Sequence, residues 1–177
     1  PRRREILLDM GLTFEVVSSD ADESAITAKS PARLTRLLSR LKAESAVGSG
    51  ATVIGADTVV ALGGRIYGKP HTEERAIEML SEMQGRWHSV YTGVTVACGG
   101  RSVTFSVRSR VKFKPLTDGE ILSYVKQTNP LDKAGAYGIQ DGRVVEKYRG
   151  SYSNIVGLPK EKLAKVLARL GVINGNC

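Results

Sequence analysis

The sequence has little of what several protein classes require. Its two cysteines, Cys98 and Cys177, are too few for a disulfide framework and lack the spacing of a metal site. No apolar run is long enough to span a membrane, and no signal peptide is visible. These absences predict a cytoplasmic protein in a reducing compartment, with no membrane partner.

Aromatic residues are also scarce, at 6% of the chain, and there are only two histidines. The low aromatic content argues weakly against a surface that stacks single-stranded nucleic acid. His88 enters a predicted strand, and no serine or cysteine nucleophile pattern accompanies it. We therefore interpret His88 as a residue that packs or forms a hydrogen bond, rather than as a catalyst.

Positive charge, by contrast, is abundant, because 26 basic and 18 acidic residues give a net charge of +8. This balance indicates a polyanionic partner, either nucleotide or nucleic acid, or it serves solubility alone. The basic residues are spread along the chain rather than grouped with aromatic residues, so nucleic acid is not the expected partner. The 177 residues contain no linker or repeat and fit a single α/β domain spanning 1–177.

Hydrophobic periodicity predicts alternating helices and strands. Helices are expected over 2–10, 31–42, 73–84, 118–129 and 160–170. Strands are expected over 12–18, 53–60, 65–67, 90–98, 102–114 and 144–145. The segment from Leu116 to Ile121 carries the pattern of a capping box, with Thr117 as the cap and Glu120 three residues later.

A single carboxylate interrupts the β-branched run from Val53 to Val60, which otherwise has the pattern of a buried strand. This residue, Asp57, either caps a turn or pairs with a lysine, or it is functional. A hairpin turn at Gly63-Gly64 would return the chain to Gly68-Lys69-Pro70. Lys69 is therefore predicted near the same end of the sheet as Asp57.

Three further charged features admit a functional or a merely solvated interpretation. The arginines at 2–4 oppose the macrodipole at a helix start, which makes sense if an anion docks there. An acidic loop with Asp20, Asp22 and Glu23 offers oxygen ligands to a divalent ion. Lys42, near the end of its helix, either reaches inward or complements the C-terminal dipole.

The loop from Leu131 to Gln140 combines a charged pair with small residues and two glycines. Glycine lets a backbone approach a ligand closely, and the Gln140 amide offers both a donor and an acceptor to a base edge. An ordinary glycine-rich turn is the alternative.

Taken together and in this order, the motifs strongly resemble the Maf family of nucleoside triphosphate pyrophosphatases. The resemblance extends through nearly the whole chain and rests on Pro1-Arg-Arg, the acidic loop, Gly55-Ala-Asp-Thr58, Gly68-Lys-Pro70, Asp132 to Gln140, and Gly150-Ser-Tyr152 with Val156-Gly-Leu-Pro159. It implies an α/β fold like that of inosine triphosphatase. The expected architecture is a central mixed, twisted sheet flanked by helices, in two lobes around a cleft. It also implies a homodimer and a first strand and phosphate-loop start ahead of Pro1.

The resemblance further implies hydrolysis between the α- and β-phosphates of a nucleotide, with Mg²⁺ or Mn²⁺ as the cofactor. Asp57 corresponds to the general base and, with Glu23, to the metal ligands, while Lys42 and Lys69 correspond to the two lysines of the catalytic group. Substrate binding is implied for six residues: Arg2, Arg3, Thr58, Asp132, Lys133 and Gln140.

Within the family, Ala56-Asp57-Thr58 and the Asp132 to Gln140 loop resemble the branch that acts on dTTP and UTP rather than on 7-methylguanosine triphosphate. The expected role is the removal of these and modified pyrimidine nucleotides. Two alternatives stay open: a nucleic-acid-binding or cell-division regulatory protein, and a purine pyrophosphatase that acts on ITP or XTP.

Overall fold

One five-stranded sheet organises the molecule. The computed structural model describes residues 1–19, 21–46, 48 and 50–173. The strands are β1 (Val53–Leu62), β2 (Arg65–Tyr67), β3 (Trp87–Cys98), β4 (Arg101–Phe113) and β5 (Val145–Arg149), in the spatial order β2-β1-β3-β4-β5. The helices are α1 (Arg2–Asp9), α2 (Pro31–Glu44), α3 (Glu73–Met83), α4 (Asp118–Thr128), α5 (Tyr152–Val156) and α6 (Lys160–Leu170). Cys177 and Asp20 lie outside the described residues.

Every strand pairing in the described ranges is antiparallel, so the expectation of a mixed sheet is wrong for this part of the chain. Tight turns explain two of these four pairings. Gly63-Gly64 joins β1 to β2 and Gly99-Gly100 joins β3 to β4, with positive φ at all four glycines. Two-residue turns of this kind match the twist of antiparallel neighbours, whereas a parallel pair needs a long crossover.

The strand predicted over 12–18 is also wrong. This segment has no regular secondary structure and pairs with no strand in the described part of the chain. Val16 and Val17 are 75% and 67% exposed. The apolar pattern indicated an extended segment, but a strand also needs a neighbour to accept its backbone hydrogen bonds.

The main helices begin where their capping residues predict. The side chains of Ser30 and Thr72 accept hydrogen bonds from the first turns of α2 and α3, and Thr117 with Glu120 forms the complete capping box of α4. The periodicity missed α5, whose five residues are too few to show a helical repeat, and three short 3₁₀ helices between Pro130 and Asp141. Within the described ranges, no helix combines the length and hydropathy needed to cross a membrane.

Helix α2 lies directly on one face of β1 and β3, and two glycines permit this contact. A Cβ at Gly93 would lie 2.8 Å from the Arg36 backbone nitrogen, and a Cβ at Gly55 would lie 2.7 Å from that of Ala43. Side chains at these positions would therefore push the helix away. Gly55 lies against Ser39 and Ala43, two residues before Asp57 on the same face of β1, so the close approach there sets the last turn of α2 beside that carboxylate.

Helices α1 and α3 to α6 cover the opposite face, where the core divides into two apolar clusters. Val60, Leu80 and Phe113 belong to the cluster under α3 and α4, and Val94 and Leu167 belong to the cluster under α6. A polar band at the middle of β1 and β3 separates the clusters.

Replacing Gly93 by alanine tests the close packing of α2. The new methyl would meet helix backbone that cannot rotate away, so we expect Gly93→Ala to lower the free energy of unfolding by about 3 kcal/mol. Gly119→Ala is the matched control, because no atom lies within 4 Å of a Cβ there; in its helix the change should stabilise by about 0.5–1 kcal/mol. Urea unfolding measures both. Equal stability of the two variants would contradict the packing.

Candidate active site

An ammonium group bridges two carboxylates at the centre of the candidate site. The Lys42 Nζ lies 2.7 Å from Asp57 Oδ1 and 3.0 Å from Glu23 Oε1. These are three of the four residues for which the resemblance implies a catalytic or metal-binding role, and they come from a helix, a strand and a loop. The structure brings them together.

The position of Asp57 excludes its interpretation as the cap of a turn. Asp57 lies in the middle of β1 rather than at a turn, so it caps nothing, and its side chain is only 14% exposed. It does pair with a lysine, but that lysine also contacts Glu23 and remains 22% exposed. Both charged side chains are thus fixed in position and still partly exposed to solvent. A ligand can reach such a pair, whereas a purely structural ion pair would be fully buried.

A second cluster lies on the other face of β1, because adjacent residues of a strand point to opposite sides. Arg3 Nε donates to the Gly157 carbonyl oxygen at 2.9 Å, and another guanidinium nitrogen donates to Thr58 Oγ1 at 3.2 Å. Thr58 Oγ1 lies 3.0 Å from Thr92 Oγ1, which donates to the Asn154 carbonyl oxygen at 2.9 Å. Because Thr92 uses its hydrogen on the carbonyl, Thr58 must donate to Thr92.

Burial lowers the pKa of the Arg3 guanidinium, and the nearby Asp57 carboxylate opposes this shift. An arginine nevertheless stays protonated in proteins. Arg3 is therefore a half-buried cation, and water screens its attraction for an anion less than it would at a fully exposed site.

A third group joins the start of α1 to the loop after α4. Arg2 lies 3.8 Å from Asp132 Oδ2, and Lys133 Nζ lies 3.4 Å from Asp132 Oδ1. Burial acts to raise the pKa of Asp132, but the charges of Lys133 and Arg2 outweigh it and leave that pKa below its ordinary value. Asp132 thus links Arg2 at the start of α1 to Lys133.

The backbone places Lys69 beside this loop. The Gly135 N–H donates to the Gly68 carbonyl oxygen at 3.0 Å and so fastens the Gly-Lys-Pro turn to the Asp132 loop. Lys69 itself is exposed. Gln140 is exposed as well, and no hydrogen bond joins its side chain to another described residue. The structure therefore leaves the role of the Gln140 amide as a prediction.

A buried aromatic contact anchors the same loop from below. His88 Nε2 lies 2.9 Å from the Tyr137 hydroxyl, and both rings meet Phe113 edge-on. His88 is 2% exposed. The interpretation of His88 as a hydrogen-bonding core residue is confirmed, and its partner belongs to the loop that carries Asp132 and Lys133.

Comparison with known proteins identifies the family of the chain. The sequence pattern described as Maf-like protein matches residues 1–170. The chain belongs to the Maf-like protein family. A protein of Thermosipho africanus named dTTP/UTP pyrophosphatase is 44% identical over 178 residues, which cover 99% of this chain and 92% of that protein. Proteins of the same name from Aquifex aeolicus and Geotalea uraniireducens are 41% and 44% identical over 179 residues, with 99% and 98% of this chain and 94% and 92% of theirs covered.

The carboxylates of this Maf-like protein fit a divalent ion only in part. Glu23 and Asp57 are close enough to share one ammonium and could share a metal ion in the same way. Among the described residues, no group of three or more His, Cys, Asp or Glu side chains has metal-binding geometry. Mg²⁺ commonly takes one or two protein carboxylates and completes its shell with water and substrate phosphate. The donor set fits that arrangement rather than a cage made of protein alone.

Three supporting residues of the site carry roles that the sequence did not predict. Thr92, Asn154 and Gly157 position Thr58 and Arg3 by hydrogen bonds across at least 34 residues of sequence. Thr92 is the register partner of Thr58. Because register between distant strands cannot be read from one sequence, the only available signal was the position of Thr92 in a predicted strand.

The buried His88 predicts a specific loss of stability in acid. Burial lowers its pKa to about 3, whereas an unfolded histidine titrates near 6.5. Its contribution is therefore complete above pH 6.5 and decreases below it by about 1.4 kcal/mol per pH unit. Between pH 7.5 and 5, we expect wild type to lose about 2 kcal/mol more than His88→Phe in urea unfolding. All other titrating groups are common to both proteins, so parallel profiles would contradict a neutral, buried His88.

Proposed function

We propose that this Maf-like protein hydrolyses dTTP, UTP and modified pyrimidine nucleotides to the monophosphate and pyrophosphate. The observation that carries the proposal is the Lys42 ammonium held between Asp57 and Glu23, with the charge of Arg3 close enough to interact with both carboxylates. The name shared by the relatives from three organisms supports the same substrate class.

The cations suit a triphosphate, whose several negative charges must be neutralised before water can attack. Arg2 and Arg3 offer planar forks that match phosphate oxygens, and Lys42, Lys69 and Lys133 act as point charges. Arg2 and Lys133 share Asp132, and Lys42 shares two carboxylates. These ion pairs hold the cations in place, and a bound triphosphate would compete with the carboxylates for them.

Asp57 is the proposed general base. Lys42 occupies its Oδ1, and no described side chain donates a hydrogen bond to Oδ2. The second oxygen is thus available to accept a proton from water, while the ammonium fixes the direction in which it points. Rigid placement of the base by strand β1 and helix α2 is what proton transfer requires.

Glu23 and Asp57 are the proposed ligands of Mg²⁺ or Mn²⁺, together with oxygens of the substrate. When bound, such an ion neutralises charge on the transferring phosphate. Lys42 already neutralises part of the negative charge of the two carboxylates, because its ammonium lies between them.

Thr58 gives a physical reason for a preference among the nucleobases of the substrate. Its hydroxyl hydrogen is donated to Thr92, and one of the two lone pairs of the oxygen accepts from Arg3. Toward a ligand, the Thr58 hydroxyl can therefore act only as a hydrogen-bond acceptor, through its second lone pair. Uracil and thymine carry an N–H donor at N3, whereas cytosine carries an acceptor there. We propose that Thr58, with Arg2 and Gln140, favours the first two bases.

A homodimer in the cytoplasm completes the proposal. Its support is the resemblance of the whole chain to the family, together with the scarcity of cysteine. Light scattering behind size exclusion would report a mass near 38 kDa, about twice the 19.1 kDa of the chain; a stable monomer would contradict the dimer.

Asp57→Asn removes the proposed base while keeping its shape. We expect kcat for pyrophosphate release from UTP to fall by about 10²–10⁴-fold, the usual contribution of a general base. Asp118→Asn, which neutralises an exposed carboxylate at the start of α4, is the control and should keep kcat within twofold. Circular dichroism confirms the fold of each variant. Undiminished turnover by Asp57→Asn would remove Asp57 from the mechanism.

A substrate panel tests the class of nucleotide. With Mg²⁺, dTTP and UTP should give the highest kcat/KM, CTP should be at least tenfold poorer, and ITP, XTP and 7-methylguanosine triphosphate poorer still. Chelation with EDTA should abolish turnover and added Mg²⁺ should restore it. Preference for ITP or XTP would favour the purine alternative, and release of pyrophosphate from none of them would favour a regulatory protein.

A further inference from the structure

Helix α2 covers only one end of its face of the sheet, and the other end carries a concentrated positive charge. The contact of Thr35 in α2 with Ser106 identifies which residues of β4 point to this face. Strand register then places residues of three strands side by side on the uncovered end. We call this surface the basic face and define it by Trp87, Ser89, Tyr91, Arg108, Arg110, Lys112, Lys147 and Arg149.

The basic face places like charges directly opposite each other. Arg110 pairs with Arg149 and Lys112 with Lys147, in alternate positions of the antiparallel β4–β5 ladder, which point to the same face. Such pairs destabilise a sheet. Lys147 has an ion pair with its neighbour Glu146, at 3.0 Å. No described carboxylate lies within ion-pair distance of the arginines of the basic face. An external polyanion would relieve this repulsion.

Aromatic rings hold these arginines in place. The guanidinium groups of Arg110 and Arg149 lie 5.0 and 5.4 Å from the centre of the Trp87 ring, and that of Arg108 lies 5.8 Å from the centre of the Tyr91 ring. Cation–π contacts of this kind orient a guanidinium and leave its N–H groups able to donate. Arg108 Nε already donates to Ser89 Oγ at 3.0 Å, whereas the guanidinium groups of Arg110 and Arg149 donate to no described residue. The face therefore offers ordered phosphate donors next to flat surfaces on which bases can stack.

We propose that the basic face binds single-stranded nucleic acid, with the phosphodiester backbone on Arg110 and Arg149 and unstacked bases against Trp87 and Tyr91. Proteins that bind single strands combine a cationic track with aromatic platforms in this way. The low aromatic content argued against such a surface, but content says nothing about position. Strand pairing brings two of the few aromatic rings among three arginines. None of these residues belongs to the proposed hydrolytic site.

The fluorescence of Trp87 reports binding at this face, because it is the only tryptophan of the chain. We expect 20-nucleotide oligo(U) and oligo(dT) to quench it saturably, and a preference for one of them would identify RNA or DNA as the better ligand. If three phosphates are contacted, the logarithm of the binding constant should fall against that of salt with a slope of about −2.

Two double variants distinguish binding at the basic face from a general effect of the net charge of the protein. Arg110→Gln with Arg149→Gln should weaken oligonucleotide binding at least tenfold and reduce the salt slope by about 1.4. Lys162→Gln with Lys165→Gln, on the exposed side of α6, removes the same charge and should change binding less than twofold. Pyrophosphate release from UTP should be unchanged in both, which keeps this test independent of the proposed hydrolysis.

Four results would overturn the proposal. They are an equal loss of binding in the two double variants, displacement of the oligonucleotide by UTP, equally tight binding of a 20-base-pair duplex, and binding to phosphatidylglycerol vesicles without any quenching by oligonucleotides. The first would reduce the effect to net charge, the second would place it in the hydrolytic site, the third would exclude base stacking and the fourth would indicate a membrane surface.

Discussion

The backbone contact between helix α2 and strands β1 and β3 is the constraint on which the site depends. Gly55 and Gly93 have no side chains, and this lets the helix lie against the sheet. The contact sets Lys42 at 2.7 Å from Asp57. A charged pair in the middle of a strand is costly unless its partners are fixed. Here the packing fixes them, and both side chains stay partly exposed.

The candidate site then follows from the alternation of a single strand. Asp57 points to the face of α2 and meets Lys42, while Thr58 points to the other face and meets Arg3. Two adjacent residues thus join the proposed chemistry to the proposed choice of base. Two neighbouring arginines at the start of α1, the proposed phosphate ligands, likewise contact two parts of the site. Arg2 lies near Asp132, and Arg3 donates to Thr58.

Local sequence patterns predicted much of the fold and of the candidate site. The features that depend on pairing between distant strands could not be predicted in this way. The caps, the hairpin glycines and the placement of Asp57 next to Lys42 depend on signals within a few residues or on the family resemblance. The support that Thr92 gives to Thr58 depends on register, and the basic face depends on which residues of β3, β4 and β5 become neighbours. The segment over 12–18 shows the converse, because its strand pattern has no partner in the described ranges.

Phosphorus NMR of UTP hydrolysis tests the central claim most directly, because it identifies which anhydride bond is cleaved. With Mg²⁺ and the full chain, the account predicts that the three UTP resonances are replaced by those of UMP and pyrophosphate in equal amounts from the first time points. Orthophosphate and UDP as the initial products would contradict it, since the Lys42, Asp57 and Glu23 cluster would then act on the terminal phosphate or not at all.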